Sequence, residues 1–200
     1  MRDKILKVAD ELFIKYGVKN ITMDDIAKGL SISKKTIYQF FKDKNEIVKE
    51  FTLNQCTSRR DDFEDIPARA KNSIEALVMV SKCIGENVLT LNPLLLMEVQ
   101  KFYGEAWQIF LDFKEHTFYK SLERTIIRGI KEGYIRKEID PEIIAIMRME
   151  QVQMCFDPKI FPSDRYDFKE VQMQLFNHFV FGLLTCEGQK LYNEQLINNK

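Results

Sequence analysis

Between Ser33 and Phe41 the chain reads SKKTIYQFF, and Lys34, Lys35, Thr36, Tyr38 and Gln39 can all donate hydrogen bonds. Two of the five are cationic and none is acidic. Gathered on one side of a helix, they would suit the base edges and phosphates of a DNA major groove. Ile37, Phe40 and Phe41 fall at i, i+3 and i+4, the spacing of one apolar helical face, so anchoring these behind turns the donors outward. A rod from Ser33 to Phe41 is therefore expected. Its support lies just upstream. Thr22 with Asp25 reads as a capping-box pair opening a helix through Ile26 and Ala27, and Ser33 caps the next one. Leu30-Ser31-Ile32 is about the length of a helix-turn-helix hinge. Capped helices with a basic face also occur in proteins that never meet DNA, so a protein-docking surface is the competing use.

The flanks add to the site. From Asp3 to Tyr16, the residues Ile5, Leu6, Ala9, Leu12, Phe13 and Tyr16 form one stripe of a helix, and Gly17 is placed for a left-handed stop. Asp43 with Glu46 reads as a second capping pair, opening a helix that runs to about Asp62. Exposed amides there, with Lys44, would clamp a phosphate. Arg2 and Lys4 are either phosphate contacts or solvated charges.

Read from Arg2 to Phe51, the chain resembles the DNA-binding domain of the tetracycline-repressor (TetR) family of bacterial transcription regulators. The resemblance rests on Ile5, Ala9, Leu12 and Phe13 followed by Tyr16-Gly17, then Ile21-Thr22, Asp25-Ile26-Ala27, Ser33, Thr36-Ile37-Tyr38, Phe41, Lys44 and Glu46-Ile47. Two positions depart from the family, which often has Gly where this chain has Ser31 and Lys35. A lysine at position 35 can reach a guanine edge or a phosphate. The resemblance implies a homodimer joined through the last two long helices, a palindromic operator in double-stranded DNA, and a small inducer held among the central helices. It also places a backbone-contacting lysine at Lys44. The DNA-binding residues expected are thus Thr22, Ser33, Lys34, Lys35, Thr36, Tyr38, Gln39 and Lys44.

Composition agrees with a soluble globular chain. The 200 residues are 45% apolar and 30% charged, with zero formal net charge. Residues 1–55 hold 11 Lys/Arg against 8 Asp/Glu, while the remainder holds 19 against 22, so the N-terminal quarter is the basic part. Cys56, Cys83, Cys155 and Cys186 form no CxxC pair and read as reduced core residues. No secretory signal opens the chain and no run of about 18 apolar residues could span a bilayer, so a cytoplasmic protein without a membrane partner is expected.

Beyond the acidic stretch Asp61–Pro67, read as a loop, the pattern is helical throughout. Helices are expected over Ser73–Leu89, from an Asn92-Pro93 cap through Phe102, over Glu105–Glu132 with a stop at Gly133, from Asp140-Pro141 to about Phe156, and from Tyr166 or Asp167 to about Cys186. A frayed helical tail follows Gly188. The fold expected is all-α: an N-terminal three-helix helix-turn-helix domain (1–55) plus a C-terminal helical dimerisation and ligand-binding domain (56–200).

The last two long helices are apolar nearly all round, which is how a helix buried on several sides reads. A second copy would supply the extra covering, giving a four-helix interface; a well-filled monomer core is the alternative. In the middle of the body Met79, Met97, Phe102, Tyr103, Trp107, Phe110, Phe113, Phe118 and Tyr119 are dense enough to line an adaptable pocket, with Glu105 and His116 as polar anchors, or simply to fill a core. Catalytic readings find no support: there is no GxSxG, HExxH or glycine-rich phosphate loop, and neither His116 nor His178 has metal-ligand spacing to an acid or cysteine. The expectation is a non-enzymatic, homodimeric DNA-binding regulator without cofactor or metal, a repressor released by a small apolar or amphipathic ligand. The alternative is a helical docking adaptor.

Overall fold

A computed structural model of the protein describes residues 1–87 and 93–198. The regular elements among them are helices: α1 (Arg2–Tyr16), α2 (Met23–Leu30), α3 (Lys34–Tyr38), α4 (Lys44–Glu64), α5 (Ile66–Arg69), α6 (Ser73–Asn87), α7 (Pro93–Phe102), α8 (Gly104–Phe113), a π-helical stretch Lys114–Tyr119, α9 (Lys120–Glu132), α10 (Pro141–Met154), α11 (Phe168–Leu183) and α12 (Cys186–Asn198). The Asn92 cap and the end of the helix expected to reach Leu89 lie outside the described residues. No helix among them is long and apolar enough to cross a membrane.

Local chemistry explains most boundaries. Asp140 accepts hydrogen bonds from the Glu142 and Ile143 amides, with Pro141 in the first turn of α10. Asp167 does the same for Glu170 at the start of α11. Gly133 ends α9 in the left-handed conformation (φ 78°, ψ 5°) that a side chain would resist. Three expectations are corrected. The acidic stretch is no loop: α4 continues to Glu64 and α5 follows at once, because Pro67 is tolerated in a first turn. The helix expected over Glu105–Glu132 is interrupted by the π-helical turn Lys114–Tyr119. The tail after Gly188 is helical as expected but packed rather than frayed, with Tyr192 fully buried. It is separated from α11 because Leu184 turns extended and bridges to Ile135. Thr185 then accepts the Gly188 amide, capping the new helix.

The chain forms two compact units, Met1–Arg59 with Thr90–Phe113, and Arg60–Leu89 with Lys114–Lys200. In the first, Ile5, Ala9 and Phe13 of α1 pack with Ile26 of α2, Ile37 of α3 and Ile47, Val48 and Phe51 of α4. Leu95 and Val99 of α7 and Ala106 of α8 complete this core, which is why α7 and α8 belong to the first unit. Glu98 reinforces the arrangement by accepting the Lys19 amide at 2.8 Å. In the second unit, Ile74, Leu77 and Val78 of α6 pack with Ile126 of α9, Phe176, Phe179, Val180 and Leu183 of α11 and Tyr192 of α12. Arg128 joins α5 to α9 by donating to the carbonyls of Pro67, Ala70 and Lys71 while its Nε reaches Glu132.

Candidate nucleic-acid interface

The expected pair of capped helices is present as α2 and α3. Thr22 and Asp25 make the reciprocal box: Thr22 Oγ1 accepts the Asp25 amide at 3.2 Å, and the Thr22 amide donates to Asp25 Oδ2 at 2.9 Å. The Thr22 hydroxyl proton is also given to Asp25, at 2.6 Å, so this hydroxyl is committed to the cap. The hinge turns at Ser31, the one described non-glycine residue with positive φ (55°), and the Ile32 amide returns to the Ala27 carbonyl at 3.0 Å. That closure takes a left-handed residue, and glycine adopts it at less cost than serine. Ser33 then caps α3, accepting the Thr36 amide at 3.1 Å and sharing a 2.8 Å hydroxyl bond with Thr36.

Ile37 and Phe41 are buried behind α3, whereas Phe40 is 37% exposed and does not share their face. The reason is that α3 ends at Tyr38: the Gln39 and Phe40 amides bond three residues back, to Thr36 and Ile37, and the tightened turn swings Phe40 outward. The expected rod to Phe41 is therefore shorter, and its apolar anchor is Ile37 with Phe41. Lys34, Lys35, Tyr38 and Gln39 all face solvent, Thr36 partly so. Lys34 is not independent, since its ammonium donates to Asp24 at 2.8 Å, and this partner raises its pKa. Lys35 makes no hydrogen bond or ion pair with a described residue.

Lys44 opens α4 but turns inward. Its ammonium is half-buried, donates to the Val18 carbonyl at 2.5 Å and lies 5.8 Å from the Tyr103 ring centroid. Burial lowers its pKa, opposed by the nearby carboxylates of Glu98 and Asp25. The start of α4 is capped as the spacing suggests, Asp43 accepting the Glu46 amide at 3.0 Å, but the Glu46 carboxylate reaches back to the Lys42 amide at 2.6 Å. Arg2 is paired with Glu50 and lies over the Phe41 ring, so it braces the back of the unit.

Two residues that sequence reasoning passed over shape this surface. Asp24 neutralises Lys34 from ten positions away. Glu98 closes on Gly17, whose φ of 80° and ψ of 158° are positive-φ but not the left-handed helical stop expected; a Cβ there would come within 2.9 Å of Glu98 Oε2.

The residues expected to line a ligand pocket belong to both units. Tyr103 and Trp107 pack against the core of the first unit, and Trp107 stacks on Phe110 at 5.0 Å between centroids. Met97 is half-buried and Phe113 buried in that unit, while Phe102 is exposed between Lys19 and Lys101. Met79 packs beside Ile66, Ala70 and Ala76 in the second unit, and His116 is exposed. Glu105 is spent on an exposed pair with Lys49. Among the described residues no group of His, Cys, Asp and Glu could hold a metal ion.

Residues 5–51 match the sequence signature of the bacterial regulatory proteins of the tetR family. An HTH-type transcriptional regulator of Staphylococcus aureus (strain USA300) is 46% identical over 158 residues, spanning 72% of this chain and 85% of its own. The uncharacterized HTH-type transcriptional regulator YhgD of Bacillus subtilis (strain 168) is 30% identical over 158 residues, spanning 76% and 81%. A transcriptional regulator from Saccharomonospora viridis, solved in complex with choline, shares the fold with a TM-score of 0.76 at 19% identity, over 92% of this chain and 97% of that one.

Proposed function

Since this chain belongs to the tetR family of bacterial regulatory proteins, we propose that it acts as a repressor, bound as a homodimer to a palindromic operator and released by a small apolar or amphipathic ligand. The observation that carries the reading is the α3 surface: Lys34, Lys35, Tyr38 and Gln39 exposed on a helix held from behind by Ile37 and Phe41. Lys34, Lys35, Thr36 and Gln39 meet base edges or adjoining phosphates. Tyr38, Thr22 and Lys44 hold the backbone and set register, and Ser33 fixes the start of the reading helix. Thr22 does so only by turning its one hydroxyl proton from Asp25 to a phosphate, whereas Lys44 keeps two ammonium protons beyond the one given to Val18.

Dimerisation supplies the second reading head. A two-fold pair places two such helices about one turn of DNA apart, ~34–36 Å, and offsets the weak phosphate attraction of a chain with no net charge. The effector shifts the protein between two spacings of the heads by preferring one, through the direction of α4 beyond Asn45. That the solved S. viridis regulator holds choline supports a small-molecule effector for this body as well. The functional boundary is placed near Gln55, within α4, which serves the reading head and the body alike. The site of action is the cytoplasm, where the operator is.

An electrophoretic shift with the DNA upstream of its own gene tests the reading. Retardation that survives competitor DNA is expected; no retardation even in dilute buffer would leave the docking-adaptor alternative in its place. Within a binding protein, Lys35→Ala should change preference at particular base pairs, and a uniform loss would make Lys35 a phosphate contact.

A further inference from the structure

Arg148 of α10 leaves only 3% of its surface exposed. Its Nη2 donates at 3.5 Å to Gln172 Oε1, and Gln172 is itself oriented by a 3.4 Å bond from its Nε2 to the Val152 carbonyl. The guanidinium carbon lies 5.3 Å from the Phe176 ring centroid and 5.8 Å from that of Phe179. No carboxylate among the described residues pairs with it, and Nη1 is buried without an acceptor. One turn on, Gln151 Oε1 is buried and unpaired too, and turning that amide end for end would present a donor instead.

A neutral amide and two ring faces do not neutralise a cation. Burial pushes the guanidinium pKa down to about 10 and the neighbouring Cys155 thiol up to about 11, so near pH 7 the one is charged and the other is not. Leaving a charge buried and uncompensated is costly, and a second copy of the chain is poorly placed to supply the anion. On α10 the exposed residues are Glu142, Ile143, Ile146, Met147 and Glu150, whereas Arg148 lies with buried Ala145 and Met149 on the inward side.

We infer that Arg148, with Gln151 and Gln172 beside it, is the anchor for the acidic group of the effector, an organic carboxylate with an apolar chain. The inference rests on the reading of the protein as a ligand-released regulator and names the chemical class of that ligand. A guanidinium fork gives a carboxylate two charge-assisted hydrogen bonds in one plane, and the apolar faces of Phe176 and Phe179 beside it suit the chain behind it.

The test is thermal melting of the full-length protein with decanoate, decan-1-ol and decylamine, alongside Arg148→Met and Arg148→Lys. Decanoate should raise the wild-type midpoint by about 3 °C or more at concentrations well above its Kd, with no rise from the alcohol or the amine. Arg148→Met should melt at or above the ligand-free wild type, since it removes an unneutralised charge, and should lose the decanoate response; Arg148→Lys should keep part of it. No rise with decanoate, or a rise undiminished in Arg148→Met, overturns the inference. So does an Arg148→Met variant that melts well below the wild type, which would make the arginine a satisfied strut. A rise with decylamine alone overturns the acid assignment and leaves a ligand-responsive body standing. Retardation of upstream DNA by the same samples judges the regulator reading separately.

Discussion

The Lys34 ammonium lies 2.8 Å from Asp24 Oδ2, tying the first turn of α3 to the first turn of α2. Both side chains are about half exposed, so the pair is a surface contact whose interest is electrostatic. In the free protein the first positive charge of α3 is already met by an acid, and a DNA phosphate would compete with that acid for it.

Asp24→Asn should therefore tighten binding to all DNA sequences. It frees Lys34 and removes a negative charge facing the phosphates. The slope of log affinity against log salt should steepen by about 0.9, the increment for one further phosphate contact. Titration of the variant at several salt concentrations measures it, and an unchanged slope would mean that Lys34 does not reach a phosphate.

Lys44→Ala separates two roles that the geometry superimposes. Losing the ammonium bond to the Val18 carbonyl should lower stability by about 1–2 kcal/mol. If the remaining N–H groups also hold a phosphate, the salt slope should flatten by about one unit and affinity should fall evenly across sequences. Denaturant titration and salt-dependent binding are read on one preparation. A lower midpoint with an unaltered slope would strike Lys44 from the phosphate contacts and leave it as a brace between Val18 and α4.

What was legible in the sequence depends on how far apart the partners stand. Thr22 with Asp25, Ser33 with Thr36, Asp43 with Glu46 and Asp140 with Ile143 all close within three residues, and each cap forms where the spacing put it. Lys34 with Asp24, Lys44 with Val18 and Lys19 with Glu98 are separated by 10, 26 and 79 positions, and depend on how the hinge and helices come together. Phe40 departs from its expected face for a related reason: its spacing is helical, but a helix of five residues ends before the periodicity applies. The break between α11 and α12 was invisible because it is made by Ile135, on a distant turn, pairing with Leu184. The aromatic and methionine residues of the middle helices carried no signal of which core each would join.

Asp10 gives a pH dependence. Burial, then the charge of Glu11, pushes its carboxyl up to about 6 from an ordinary 3.8, and its Oδ1 has no hydrogen-bond partner. The folded chain therefore holds this proton where the unfolded chain releases it. Stability from this site is full below about pH 3.8 and declines as pH rises towards 6, remaining lost above it. Asp10→Asn should stabilise the protein at pH 7.5 by about 1 kcal/mol, discounted because the side chain is only half-buried. Near pH 4 the gain should vanish. Urea midpoints at the two pH values decide, and an equal gain at both would remove titration as the cause.

Ile146→Glu addresses the pairing of two chains. Ile143, Ile146 and Met147 on α10 are 63%, 49% and 42% exposed, and Phe181 on α11 is 41% exposed. Apolar side chains at that density on neighbouring helices are what an interface core offers, and a charge among them should be tolerated alone but not against a second copy. The variant should keep its helical circular dichroism and sediment as a monomer at micromolar concentration. Because each reading head alone grips DNA weakly, operator affinity should fall by about 10²–10⁴-fold even though no residue of α3 has changed. A variant that stays dimeric would place the interface elsewhere, and a monomer that binds the operator as before would separate recognition from dimerisation.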